Sequence, residues 1–484
     1  MHTRVLINAK FVGGFLAMCM YGLALPATAL SLPDMLQDPL NVQPDRLHTG
    51  PMLPDGSIIT SLSCEDLSQP LELGNAIDVA LCNNPLIRSA WADIKIQAAA
   101  KGEARSTYLP TIRGSVSRLA NWNHNSSIFG SSDAFQTGNQ VYGTLTWRLV
   151  DFGGRGANNN AALQLLTAAI AAHDAALQKT MRDVIQAYFD SMTAQSLFLA
   201  RKKMADIAEK ILEATRRRED RGAAPLSDTL QASTALAKAR LNEARARGDL
   251  DKSLSLLVQA MGLTPGTFLR LPQMPEPYHP DEVKALNDWL REAEKEHPAI
   301  RQVRARLAAD KARIAAARSE GLPSLDATAY ISRNGYPNQG LSSVSQSVAA
   351  VGVTLNVPIF DGFGRTYKIR GAQAQVEQSQ ARLLETTNQI LTEVVKAHAD
   401  ALTSLGTLKA TERLMASATL SLQSSLRRYE RHAADILELL NTQAALADAE
   451  QERVRAVAES RSARLRLLAS AGFLGLDDLL EERP

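Results

Sequence analysis

The chain has 484 residues, with 53 Lys and Arg against 51 Asp and Glu, and three cysteines. This near balance excludes a nucleic-acid partner, which needs a basic face or stripe. The eight histidines form no His-Glu-x-x-His pair, and neither a phosphate-binding glycine loop nor a nucleophile elbow is present, so no metal, cofactor or catalytic site is expected.

Residues 1–29 read as a secretory signal. Arg4 and Lys10 form a basic start, Phe11 to Leu25 is mostly apolar, and Ala27-Thr28-Ala29 supplies the small-x-small cleavage pattern. Cys19 raises a lipoprotein alternative, which the bulky Met18 before it disfavours. Without the signal, 51 basic residues face 51 acidic ones. Residues 30–70 form a Pro-rich polar segment that contains Cys64 and leads to Cys82. An even pair in an oxidising compartment reads as a disulfide, worth about 3 kcal/mol if unstrained. The alternative is one buried thiol and one incidental one.

The remainder is one unit written twice. Asn84-Pro85-Leu86-Ile87-Arg88 answers His297-Pro298-Ala299-Ile300-Arg301, and Leu109-Pro110 answers Leu322-Pro323, both 213 residues on. Asp151-Phe152-Gly153-Gly154-Arg155 answers Asp361-Gly362-Phe363-Gly364-Arg365 at an offset of 210, which holds for Arg217-Arg218 with Arg427-Arg428 and for Met261-Gly262 with Ala471-Gly472. Three residues are lost between Pro323 and Gly364, and none beyond. Length changes are tolerated in exposed loops, so a loop lies between 110 and 153 and packed structure follows it. Repeat 1 spans 71–263 and repeat 2 spans 287–473. A five-proline linker (264–286) joins them and a tail (474–484) ends the chain.

Each repeat opens with a helix of about 35 residues (71–107 and 287–320), which ends near Leu-Pro because the residue before proline is pushed out of the helical region. Two strands follow. Val351, Val353, Leu355, Val357 and Ile359 alternate with polar or small residues, as do Leu145, Trp147 and Leu149. Period two gives one apolar and one polar face, in a soluble sandwich or in an outer-membrane barrel. Four strands cannot close a barrel, so a membrane role requires several chains, and three would supply twelve. Trp122, Phe129, Phe135, Tyr142, Trp147, Tyr330 and Tyr336 are expected where strands meet loops, as interfacial girdles, with polar loops over Asn123–Asn139 and Asn334–Ser345. Ordinary β-propensity of aromatics is the alternative.

A very long helix follows in each repeat, near 155–218 and 365–428, without proline. Some 60 residues span about 90 Å, far beyond any compact core. Leu177, Met181, Val184 and Tyr188 are spaced as a coiled-coil seam. A shorter helix completes the unit.

The Asn-Pro helix starts, Tyr108-Leu109-Pro110, Gly321-Leu322-Pro323 and above all Phe360-Asp361-Gly362-Phe363-Gly364-Arg365 make the chain resemble the TolC family of outer-membrane efflux proteins over essentially its whole mature length. Cys64 and Cys82 ahead of Asn83-Asn84-Pro85 resemble the type I secretion branch, which includes exporters of adenylate-cyclase-type toxins. The resemblance implies a mixed α and β membrane fold: a trimeric 12-stranded β-barrel, four strands per chain, continued by a long α-helical periplasmic tunnel. It implies a homotrimer in outer-membrane lipid that exports a protein toxin or small molecules. Its partners would be a periplasmic membrane-fusion adaptor and an inner-membrane ABC or other transporter. The rival reading is a periplasmic coiled-coil adaptor with no pore of its own.

Within this frame, Asp151, Gly153, Gly154, Asp361, Gly362 and Gly364 form the strand-to-helix turns. The glycines would admit unusual dihedrals, and the aspartates would cap the long helices. The far turns would form a narrow aperture lined by Asp435, Glu438 and Asp228, with Asn441 where the family has an acid. Tyr429 falls on a tyrosine of the closing network, Ala434 stands where an arginine is expected, and Arg431 and Arg221 are candidate substitutes, Arg431 pairing with Asp228. His297, His398 and His432 are read as surface or helix-end groups.

Overall fold

The computed structural model describes residue 40 and residues 70–127, 130–274, 284–334, 346–431 and 433–475. The signal sequence, Cys64, Phe129, Tyr336 and His432 lie outside these residues. Cys82 is disulfide-bonded.

Each half runs helix, helix, strand, strand, long helix, helix. The first half holds α1 (Leu73–Asn83), α2 (Pro85–Ser106), β1 (Thr111–Ser127), β2 (Gly130–Val150), α3 (Gly154–Glu219) and α4 (Leu226–Ala260). The second holds α5 (Leu286–Glu296), α6 (Pro298–Ser319), β3 (Ser324–Asn334), β4 (Gln346–Asn356), α7 (Gly364–Glu430) and α8 (Ile436–Ala471). The opening helix expected as one piece is thus two, because Pro85 and Pro298 force Asn84 and His297 into extended backbone.

That break has a purpose in packing. The return helix α4 ends against the start of α2: a Cβ on Gly262 would stand 2.8 Å from Asn84 Cα. The Asn84 side chain bridges the two helix ends. Its Nδ2 donates to the Ala260 carbonyl at 3.1 Å and its Oδ1 accepts from the Leu86 amide at 2.9 Å, so one amide group satisfies an orphan acceptor and an orphan donor. The second half repeats the joint. Gly472 ends α8 against His297 and Pro298, and His297 Nδ1 accepts from the Ala299 amide at 3.2 Å. Around the first joint lies the main core, where the seam of Leu177, Met181, Val184 and Tyr188 meets Ile77 and Leu81 of α1, Leu257 of α4 and Leu465 of α8. Trp289 and Ala293 of α5 cover Val394, Ala401 and Leu467 in the same way.

Side by side, the rods run in one order. The α2 and α4 pair packs on α3, the α6 and α8 pair packs on both α3 and α7, and α7 closes the row. Both long helices reach about 100 Å. Their burial differs: 23 of the 66 residues of α3 are buried, against 10 of 67 in α7. On α7, Leu384, Val395, Leu402 and Leu420 are exposed at spacings of 11, 7 and 18, a single stripe on which none of the described residues packs.

The strands form one antiparallel sheet in the order β1-β2-β3-β4, which leaves β1 and β4 as open edges. The register sorts its faces. Ile112, Leu145, Ala329 and Val351 stand in one row, with Val116, Val141, Trp147, Ala327, Val353, Leu325 and Leu355 on the same apolar face. Thr111, Thr144, Thr146, Thr328, Ser332 and Thr354 share the other. The sheet is larger than expected on one side, since β1 and β2 stay paired up to Ser127 and Gly130, where a polar loop over 123–139 was anticipated. Tyr142 and Tyr330 also depart from expectation. They lie 6.1 Å apart on the polar face, so the girdle on the apolar face is Trp122 with Phe135, in edge contact at 6.5 Å, and Trp147 below them.

Candidate functional site

At the near end each strand swings into a long helix through two successive left-handed residues. They are Phe152 (φ 50°) and Gly153 (φ 99°) in the first copy, and Gly362 (φ 64°) and Phe363 (φ 67°) in the second. Each turn therefore holds one glycine and one phenylalanine in swapped order. Gly154 and Gly364, expected to share the unusual dihedrals, are instead the first residues of their helices. Gly154 is needed for space, since a Cβ there would meet Ser319 Oγ at 2.6 Å, whereas Gly364 has open space around it. Asp151 Oδ2 accepts from the Arg155 amide at 2.5 Å, and Asp361 Oδ2 from the Arg365 amide at 3.1 Å. Each carboxylate also faces the same arginine's side chain, at 3.4 and 3.6 Å.

Arg155 extends this joint into the sheet. Its guanidinium donates to the carbonyls of Arg148 and Leu149, where β2 carries a register shift against β3. Beside them the buried Asp326 accepts from Arg148 Nε and from Asn356 Nδ2, both at 2.9 Å, and so ties β2, β3 and β4 together. These residues line a cavity of about 830 Å³.

The far turns contain the residues of the expected aperture, with different partners. Tyr429 is buried among Ile211, Leu212, Ile436 and Leu439, and its hydroxyl stands 3.3 Å from Thr215 Oγ1. Arg218 stacks 4.4 Å over the Tyr429 ring and donates to the Tyr429 carbonyl at 3.0 Å. Glu438 accepts from Arg428 Nη1 at 2.8 Å and from Ser425 Oγ at 3.1 Å. Asp435 caps α8, its carboxylate accepting from the Glu438 amide at 2.7 Å. Asn441 is exposed, and Asp228 Oδ1 accepts from Ser227 Oγ at 3.4 Å. Within the chain, Arg431 forms no ion pair with Asp228 among the described residues, and Arg221 lines a groove beside Tyr429. Within the chain, bonds at these turns are made by Arg218 and Arg428, which occupy the same position in the two repeats. Their donation to the equivalent carbonyls of Ala223 (3.4 Å) and Ala433 (3.0 Å) pins each turn in the same way. Sequence reasoning used both arginines to align the repeats and overlooked them as functional groups. The signal was their position one turn before each glycine or histidine of the turn.

The signature of the outer membrane efflux protein family matches residues 76–263 and again 289–473. The chain belongs to the outer membrane efflux protein family. Protein CyaE of Bordetella pertussis is 34% identical over 412 residues, 85% of this chain and 86% of that protein. Outer membrane protein TolC of Escherichia coli is 24% identical over 434 residues, 86% of this chain and 85% of that one. Among solved structures, VceC from Vibrio cholerae superposes with a TM-score of 0.72 at 18% identity, over 83% of this chain and 96% of that one. The outer-membrane channel OprN gives 0.74 at 18%, over 85% and 94%.

This outer membrane efflux protein is therefore a channel-tunnel of the outer membrane, and its sheet has the dimensions for that role. Ile112 and Trp122 on β1 are ten residues apart, about 34 Å along the strand, and the tilt usual in barrels reduces this to a height of about 26 Å, close to the apolar band of outer-membrane barrels. The apolar face meets lipid and the threonine-rich face lines the pore. An adaptor with a hairpin and no barrel does not fit a chain whose two halves place all four strands in one sheet between paired helices.

Proposed function

We propose that three copies of this chain close into a homotrimer, a twelve-stranded barrel above a helical tunnel, that exports protein from the periplasmic side. The observation that carries it is the pair of open ends on the same two flanks of the chain. Among the described residues β1 and β4 are unpaired edges, and the α2 and α4 flank and the α7 flank each lack a neighbour, whereas α3 and the α6 and α8 pair have one on both sides. Because the two halves repeat, the missing neighbour of α7 is the α2 and α4 pair of another copy. Such a head-to-tail interface closes into a ring when its rotation is a whole fraction of a turn, here a third. If that interface copies the packing of α8 on α3, where Gln443 lies at Met204 and Arg466 at Gln186, Leu402 and Leu420 would meet α4 of that copy, which exposes Leu226, Leu230 and Leu241, and Leu384 would meet its α2.

Protein cargo and a type I partner pump follow from the similarity to Protein CyaE and to the alkaline protease secretion protein AprF of Pseudomonas aeruginosa, 25% identical over 305 residues. A periplasmic adaptor would seat in the groove of about 630 Å³ between α3 and α7 at the far end. Its floor is apolar (Ile211, Leu426, Tyr429) and its rim carries Lys210, Arg217 and Arg221. The closing Cys64–Cys82 pair would tether the segment before α1 to the tunnel waist. Cysteines placed together at Val116 and Leu355, on the two edge strands, test the ring, because their repeat mates Ala329 and Leu145 face each other across β3 and β2. Oxidation of the double variant should give a trimer ladder that resists boiling until reduced. Crosslinks confined to single chains or to dimers would overturn the ring.

A further inference from the structure

We propose that each chain carries a binding site for an anionic phospholipid headgroup on the outside of the tunnel, just below the barrel, built from Phe152, Lys311 and Arg318. The residues line a depression of about 470 Å³ together with Ile314, Ala315, Ser319 and Leu322. Lys311, Ile314, Arg318 and Leu322 lie on one face of α6 and its C-terminal extension, at spacings of three, four and four.

Three observations place this depression against lipid. First, α6 is flanked on one side by α3 and on the other by α7 of the same chain, so a neighbouring copy reaches neither flank and the exposed face looks either outward or into the pore. Arg148 and Asp326 stand on the threonine-rich, pore-lining face of the sheet, whereas Val150, two residues before Phe152, pairs with Leu325 on the lipid-facing one, which sets Phe152 on the outward side. Secondly, that side continues the lipid-facing surface. Ile359, Phe360 and Phe363 are 90%, 73% and 64% exposed after the end of β4, and Phe152, after the end of β2, is 59% exposed, aromatic residues at the lower rim of the sheet of the kind that marks a membrane interface. Thirdly, the charge is unspent. Among the described residues neither Lys311 nor Arg318 has an acidic partner. The two acids on this stretch are engaged elsewhere, Asp310 with Arg313 and Ser379, and Glu320 with Lys368.

Phe152 itself holds a left-handed backbone that costs a side chain about 1 kcal/mol and that glycine holds freely. The equivalent residue of the second repeat is Gly362, so the turn does not need a phenylalanine here. Seated at the interface, the ring lies among the upper acyl carbons while the lysine and arginine reach along their own stems to the headgroup level. A guanidinium then meets the phosphodiester through paired N–H donors, and the lysine adds a second cation about 10 Å further down the helix. The site is complete within one chain and does not depend on how many chains form the ring.

The test is native mass spectrometry of the purified full-length channel, released from detergent after incubation with phosphatidylglycerol or with phosphatidylcholine of the same acyl chains. The wild type should retain phosphatidylglycerol preferentially. Lys311→Gln with Arg318→Gln should weaken that retention on the order of 30-fold, while Lys311→Arg with Arg318→Lys should keep it. Lys396→Gln with Lys409→Gln, which removes two exposed cations remote from the site, serves as the control for net charge and should leave retention unchanged. Equal retention by both glutamine pairs, equal retention of the two lipids, or full displacement of phosphatidylglycerol by inorganic phosphate would each overturn the proposal.

Discussion

Asn84 and His297 occupy the same joint in the two halves of the chain, each accepting the amide two residues ahead at the start of a short helix. The side chains differ in one respect that matters. An amide accepts at any pH, whereas Nδ1 of imidazole accepts only while it is unprotonated. Each residue is also pressed by a left-handed glycine at the end of a return helix.

The first prediction concerns pH. Burial, with the nearby Arg182 guanidinium, lowers the His297 pKa from 6.5 to about 4. Arg182 is itself shared with Asp183 and Glu393, the acids that face it from α3 and α7. The unfolded chain therefore takes up a proton as pH falls below 6.5 while the folded chain does not. Stability from this residue is fully present above pH 6.5 and is lost progressively down to about pH 4, by up to about 3 kcal/mol per chain. The temperature at which the native oligomer dissociates on a gel should drop across that window. His297→Asn, which copies the first joint, should flatten this drop, and an unchanged slope in that variant would reject the assignment.

The glycines at the two joints should be intolerant of alanine. At Gly262 a Cβ would lie 2.8 Å from Asn84 Cα and 2.9 Å from the Asn83 carbonyl, backbone atoms that cannot yield without opening the break between α1 and α2. At Gly472 it would press on Pro298 Cδ at 2.8 Å. Either substitution should cost roughly 3 kcal/mol or more. Gly222 has a similar left-handed φ of 70° in open space, so its alanine variant should cost only about 1 kcal/mol. Dissociation temperatures of the three variants check the order.

A third expectation concerns the sheet. Asp326 holds Arg148 and Asn356 at the foot of the barrel, and it is buried while Arg148 is half-exposed. Asp326→Ala strands a guanidinium and an amide donor beside the register shift that Arg155 covers, at a cost of about 1–3 kcal/mol. Asp326→Asn keeps an acceptor for one partner only and should fall between. Folded yield in the outer membrane and heat resistance of the barrel report both.

Much of this architecture was legible in the sequence for definite reasons. The repeat, the long helices and the two-sided strands follow from offsets, from the absence of proline and from period two, which backbone geometry enforces locally. The prolines at 85 and 298 were visible too, yet the helices were drawn through them. That a break would be used to seat a glycine from a helix nearly 180 residues away is a tertiary fact. The face of Tyr142 and Tyr330 was also within reach, because their even numbers set them with Thr144 and Ser332, but aromaticity was given more weight than parity. The partners at the far turns were not legible. Arg218 finds the Tyr429 ring of the other repeat and Arg428 the Glu438 carboxylate of its own, and only the tertiary packing at the far turns decides between such options.

The last prediction concerns ion selectivity at those turns. Three copies of Glu438 would attract cations at a narrow mouth, but Arg428 stands 2.8 Å away in the same chain and cancels most of that charge at a distance. Both side chains are partly exposed, so the pair itself adds at most about 1 kcal/mol to stability and either residue can be changed without unfolding the turn. Glu438→Gln should therefore lower the cation preference of single channels in a planar bilayer only modestly. Arg428→Gln should raise it, because the carboxylates are then unmasked. Asp435 behaves differently, since among the described residues it has no cationic partner and it caps α8. Asp435→Asn removes the charge and keeps an acceptor for the Glu438 amide, whereas Asp435→Ala also loses about 1 kcal/mol of capping. Equal and opposite shifts in reversal potential for Glu438→Gln and Arg428→Gln would show two independent charges facing the pore. No shift in either would show that this turn lies away from the ion path.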